Sequence, residues 1–175
     1  VISNLRAMRR KEASPRALID GNEVVCDSPR LVRSEVRGRG VIVLLDLMPD
    51  GTRVEGDRVP LQQVLLNLML NGCDAMADSH TRRLTVRTSV VDGLARISVL
   101  DEGVGISPGM IERMFLPFET TKAGGMGIGL AVCRTIAESH QARLWAENLP
   151  EGGAGFHFDL PLASADQPGA SCARG

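Results

Sequence analysis

No apolar run in this chain of 175 residues reaches the ~20 residues of a membrane-spanning helix. No signal-peptide pattern opens it either: Arg9, Arg10 and Lys11 follow the first apolar residues instead of preceding an apolar stretch. Charge of one sign is also missing. Twenty Lys and Arg face 21 Asp and Glu, so there is no electrostatic case for nucleic acid or an anionic membrane as partner. Cysteine is scattered: Cys26, Cys73, Cys133 and Cys172 include no pair at metal-ligand or redox spacing. Free buried thiols in a reducing, cytoplasmic compartment are the expectation. No internal repeat is visible. No G-x-x-x-x-G-K-[ST] loop occurs, so any phosphate site here needs another architecture.

What is present is an ordinary globular composition, 43% apolar, at a length that suits one domain. The chain opens in a helical pattern (Val1, Leu5, Met8) without an initiating Met, which predicts a fragment of a longer protein. Glu12 to Pro15 breaks that helix. Asp20 predicts a cap for a helix over 21–37, which Pro29 should kink or divide and Gly38 and Gly40 should end. Strands are expected over 41–47, 52–55, 82–90 and 94–100, with an Asp92-Gly93 turn joining the last two, and over 142–147 and 156–160. Asp57 caps a leucine-rich helix running to Met76, and a second helix is expected over 126–140. The glycine-rich stretch 101–125 reads as a long functional loop, and residues from 163 on as a frayed tail. This order predicts an α+β fold: a two-layer α/β sandwich whose mixed, mostly antiparallel sheet is covered on one face by about three helices.

Three motifs carry chemistry. Gln63, Asn67 and Asn71 recur at intervals of four, forming a polar stripe on an otherwise apolar helix. A buried amide without a partner costs about 1–3 kcal/mol. The stripe therefore needs protein hydrogen bonds, phosphates or a hard cation such as Mg²⁺ to face. Asp101-Glu102-Gly103-Val104-Gly105-Ile106 follows a strand. Its carboxylate can accept from a donor such as an exocyclic amine, although a plain Asp-capped glycine turn uses the same residues. Gly124-Gly125-Met126-Gly127-Ile128-Gly129-Leu130 enters a helix, where bare backbone amides suit an anion; a glycine linker is the alternative. Between the last two lies Phe115-Leu116-Pro117-Phe118-Glu119-Thr120-Thr121-Lys122, a segment fit for a lid, with Lys122 able to reach a terminal phosphate.

From about Asp20 to Leu162 the chain resembles the ATP-binding domain of two-component sensor histidine kinases, within the superfamily that includes gyrase, Hsp90 and MutL. Val64 to Met76 is similar to the N box, Asp101 to Gly105 to the first glycine box and Phe115 to Lys122 to the F box. Gly125 to Gly129 and Gly152 to Phe158 are similar to the remaining glycine boxes. Thr120-Thr121-Lys122 with the glycine run looks closest to nitrogen-regulation and oxygen-sensing kinases. The resemblance implies the Bergerat-type ATP-binding fold over 15–162, a remnant of the dimerisation helical hairpin over 1–14 and a tail over 163–175. It implies ATP and Mg²⁺ as ligands. Asp101 would accept from the adenine amine, Asn71 would hold Mg²⁺, and Asn67 would sit near the phosphates. Gly103 and Gly105 would make room for the base. Gly125, Gly127 and Gly129 would bring backbone to the phosphates, and Lys122 would close over them. Asp74, Ile106, Thr121, Met126, Ile128 and Leu130 complete the implied nucleotide-binding set, with Asn67, Asn71 and Lys122 as the catalytic residues. The implied partners are a histidine-bearing dimerisation domain and a response-regulator receiver domain. An ATP-driven conformational ATPase and a non-catalytic nucleotide-binding regulator are the alternatives.

The sequence departs from the family pattern at three places. Gly155 stands where a threonine is usual, Gly72 where an alanine is, and His140-Gln141-Ala142-Arg143 where a His-Gly-Gly-Arg turn is. None of His80, His140 and His157 lies in a helical acceptor pattern, so the phosphorylated histidine is expected upstream.

Overall fold

A computed structural model describes residues 16–119 and 127–163. The expected hairpin remnant at 1–14, and the tail apart from Ala163, lie outside the described residues. The elements run β1 (Ala17–Asp20), α1 (Gly21–Leu31), α2 (Arg33–Gly38), β2 (Ile42–Asp46), β3 (Arg53–Gly56), α3 (Arg58–Ala75), β4 (Arg83–Val91) and β5 (Leu94–Asp101). They continue with α4 (Pro108–Ile111), α5 (Gly129–Ser139), β6 (Arg143–Asn148) and β7 (Ala154–Pro161).

Five strands form one sheet in the order β2-β4-β5-β7-β6. Only the β2–β4 pair is parallel; the other three pairs are antiparallel. Asp92 and Gly93 both take positive φ (51° and 76°), as the two-residue turn between β4 and β5 requires. Alternation sends Leu84, Val86, Ala95, Ile97, Val99, Phe156, Phe158 and Leu160 to one face, where all are buried. α1, α3 and α5 cover that face. The α+β sandwich with helices on one side is therefore the fold.

α3 lies at the centre of the core. The Asp57 carboxylate caps it by accepting from Val59 N–H at 3.3 Å. Leu61, Val64, Leu65, Leu68, Met69 and Cys73 turn inward at helical spacing, each at most 2% exposed. A fully buried Leu or Met is worth about 2 kcal/mol, so this helix is held by packing. Gly72 marks its closest approach to the sheet. A Cβ built there would lie 2.5 Å from Leu84 Cδ1 and 3.3 Å from Asp101 Cβ. The glycine costs helix propensity of about 1 kcal/mol, and in exchange α3 settles directly against the end of β5.

Three elements differ from expectation. β1 was not foreseen; it pairs with β3 in a separate two-stranded ribbon. The helix expected over 21–37 is divided into α1 and α2, as Pro29 predicts. Pro29 cannot donate to the carbonyl four residues back, and α1 ends two residues later at Leu31, which is exposed. Inside the expected loop, Pro108 starts the short α4. The last long helix begins at Gly129, not 126, because Gly127 takes φ 63°, outside helical space. Cys73 and Cys133 are buried free thiols as expected, whereas Cys26 is an exposed one.

Candidate functional site

A cavity of about 410 Å³ opens between α3, the end of β5, the loop that follows it, α4 and the start of α5. That volume falls within the range of small-molecule sites. Asn71, Asp74, Asp101, Gly105, Ile106, Gly127, Ile128, Gly129 and Leu130, all expected, line it together. Two expected residues do not. Gly103 stands behind Asp101, where a Cβ would lie 2.6 Å from Ala75 O. Asn67 lies one turn outside the wall. Thr121, Lys122, Gly125 and Met126 lie outside the described residues. The sequence reading missed Met110, Met114, Ala154 and Phe156, which supply apolar wall. Met110 and Met114 are four apart, a helical spacing that was legible but passed over inside a presumed loop.

Asp101 is 1% exposed. Gly103 N–H and Ala154 N–H both donate to its Oδ1, at 2.9 and 3.3 Å, which leaves Oδ2 for a ligand. Burial pushes its carboxyl above the usual aspartate range, and the two amides pull the other way. A buried carboxylate in an apolar-walled cavity favours a ligand with a neutral donor, such as an amine on a flat base. The loop beyond it is pinned by three hydrogen bonds. Val104 N–H donates to Ala75 O at 3.3 Å. Ile106 exchanges two hydrogen bonds with the Asn148 side chain. Gly105 takes φ 75°, and a Cβ there would lie 2.8 Å from Asn148 Oδ1, so only glycine fits.

The polar stripe on α3 divides its work. Exposed Gln63 donates to Asn67 Oδ1 at 3.2 Å. Asn67 Nδ2 donates to Gly129 O at 3.1 Å and reaches Cys133 Sγ at 3.5 Å, tying α3 to the first turn of α5. Cys133 is fully buried, and its thiol is pushed up to about 11 by burial. Asn71, one turn on, faces the cavity. Asp74 accepts from Arg39, whose guanidinium also reaches Glu35 at 3.5 Å.

At the opposite end α5 opens on Ile128, and among the described residues no side chain caps it. The N–H groups of its first turn, which a helix leaves without an intrahelical partner, and the macrodipole favour an anion beside Gly127, Ile128 and Gly129. Phe118 N–H donates to Gly127 O at 3.1 Å, closing the chain at the cavity's rim. Among the described residues no three His, Cys, Asp or Glu side chains cluster as a metal site. A Mg²⁺ held largely by ligand phosphates, with the Asn71 amide oxygen as protein donor, suits this donor set.

Residues 56–164 match the family described as histidine kinase-, DNA gyrase B-, and HSP90-like ATPase. The chain belongs to that family. This ATPase domain is 37% identical over 164 residues to the sensor protein FixL of Bradyrhizobium diazoefficiens, covering 93% of this chain and 32% of FixL. It therefore spans about a third of that relative's length. Among solved structures it is similar to the catalytic domain of histidine kinase ThkA. The TM-score is 0.75 and the identity 28%, over 85% of this chain and 97% of that one. ThkA in complex with the response regulator protein TrrA matches at TM-score 0.73 and 24% identity, over 93% of this chain and 46% of that one, a likeness of fold. The relatives are sensor histidine kinases, and this is an ATP-binding domain of that type.

Proposed function

We propose that the domain binds Mg·ATP and presents the γ-phosphoryl to a histidine on a separate dimerisation domain, acting as the kinase part of a cytoplasmic two-component sensor. The observation that carries this reading is the pairing of a buried Asp101 acceptor with the N-terminus of α5 across one cavity. A purine amine at one end and a phosphate chain at the other suit those two groups. In this reading Asp101 takes the adenine amine, and Gly105 and Ile106 border the base. Asn71 holds Mg²⁺, with Asp74 nearby. The amides of Gly125 to Leu130 hold the phosphates, and Thr121 and Lys122 close over them. When bound, Mg²⁺ neutralises phosphate charge; the protein's part is positioning. Asn67 acts through α5, by holding Gly129. Its amide cannot serve as a base for water, which weighs against an ATP-hydrolysing module. A response-regulator receiver domain is the proposed downstream partner, consistent with the complex that ThkA forms with one.

Two of the three histidines support a separate acceptor. His140 Nε2 accepts from Asp57 N–H at 3.1 Å, and His157 is buried and stacked on Trp145 at 4.1 Å between ring centroids. Both are committed to the fold. Calorimetric titration with a non-hydrolysable ATP analogue, with and without Mg²⁺, beside Asp101→Asn, tests the assignment. Mg²⁺-dependent binding that the variant loses is the expected result; absence of binding by the unaltered domain overturns it.

A further inference from the structure

We infer that Asn148, at the end of β6, is a positioning residue for the base end of the cavity. The inference rests on the ATP-binding reading above. Asn148 Oδ1 accepts from Ile106 N–H at 2.7 Å, and Asn148 Nδ2 donates to Ile106 O at 2.7 Å. One side-chain amide thus pairs with both backbone groups of a single residue, as a neighbouring β-strand would. Ile106 lines the cavity, and Asp101 lies five residues before it at the same wall. The intervening loop carries two glycines, whose backbone is the most costly of all to order. The Asn148 clamp holds the far end of that loop, while Ala75 O and the Asp101 carboxylate hold its middle and start.

The sequence around the clamp is cut to fit it. A Cβ on Gly105 would collide with Asn148 Oδ1, so the glycine admits the amide. Asn148 is exposed. Its amide could be satisfied by water, and burial does not force the pairing. What two short bonds from a rigid strand end achieve is a fixed path for Ile106. No isosteric residue does the same: aspartate keeps the acceptor but turns an oxygen toward Ile106 O.

The test compares the unaltered domain with Asn148→Ala and Asn148→Asp, titrated with a non-hydrolysable ATP analogue and, separately, with inorganic tripolyphosphate. Hydrogen exchange at the Ile106 amide is followed without ligand. In Asn148→Ala the analogue should bind about tenfold more weakly, tripolyphosphate should bind unchanged, and the Ile106 amide should exchange at least tenfold faster. In Asn148→Asp, relative to the unaltered domain at each pH, analogue affinity should recover as the pH falls and the carboxyl regains a donor proton. Unchanged analogue affinity in Asn148→Ala overturns the inference. So does an equal loss for both ligands, the mark of a general structural defect. If the unaltered domain binds tripolyphosphate but no ATP analogue, the nucleotide reading fails, and accelerated exchange then marks the clamp as structural alone.

Discussion

Asp101 is a carboxylate whose surroundings oppose its charge. Burial raises its pKa despite two amide donors. The ionised form is the better acceptor for an amine, so nucleotide affinity should fall on acidification at a pH above that at which an exposed aspartate titrates. A binding titration of the unaltered domain across pH checks where that arm lies. The same shift has a consequence for folding. The native state takes up this proton more readily than the unfolded chain, so the group costs stability at neutral pH and the cost is relieved as pH falls. Much at this scale was legible, because polar residues at fixed short spacings (Asn67 and Asn71, Asp101 and Gly105) advertise themselves. Asn148 and Arg39 were not. Their partners stand 42 and 35 residues away, and nothing local to either residue names them.

At the scale of elements, the C-terminal end of α5 and the β5–β7–β6 surface each contain a feature that measurement can price. Gln141 takes φ 54° just after α5, in the region where glycine is at ease. Gln141→Gly should stabilise the domain by about 0.5–1 kcal/mol, read as a higher urea midpoint at constant slope. On the sheet face away from the helices, Arg96 grips Asp159 with two bonds at 2.7 and 2.9 Å, and Trp145 Nε1–H donates to it at 3.1 Å. Burial alone would raise the Asp159 carboxyl, but these bonds prevail and hold it below the usual range. Its stabilisation is therefore present above the unfolded aspartate pKa and lost as pH falls through the lower folded value. Arg96→Met leaves that carboxylate, 3% exposed, without its main partner and should cost about 3 kcal/mol in equilibrium unfolding. The strands, α3 and the one-sided helical layer could be read from period-two and period-four patterns. β1 could not, since four residues carry too little period to register, and only its pairing with β3 makes it a strand.

For the molecule as a whole, the sandwich presents a nucleotide-sized cavity at its edge, and none of its histidines stands in a helical acceptor pattern. Incubated alone with γ-labelled ATP, the domain should remain unlabelled; mixed with a histidine-bearing dimerisation domain, it should pass label to that partner. Labelling of the domain itself would move the acceptor onto this chain. The single backbone hydrogen bond between Phe118 and Gly127 adds a further property. It anchors residue 118 to residue 127, whatever the sequence between them. Doubling the length of a flexible loop between fixed ends costs only about 0.6 kcal/mol in closure entropy. An insertion between these two anchors should therefore cost little stability and leave the base end of the cavity as it is.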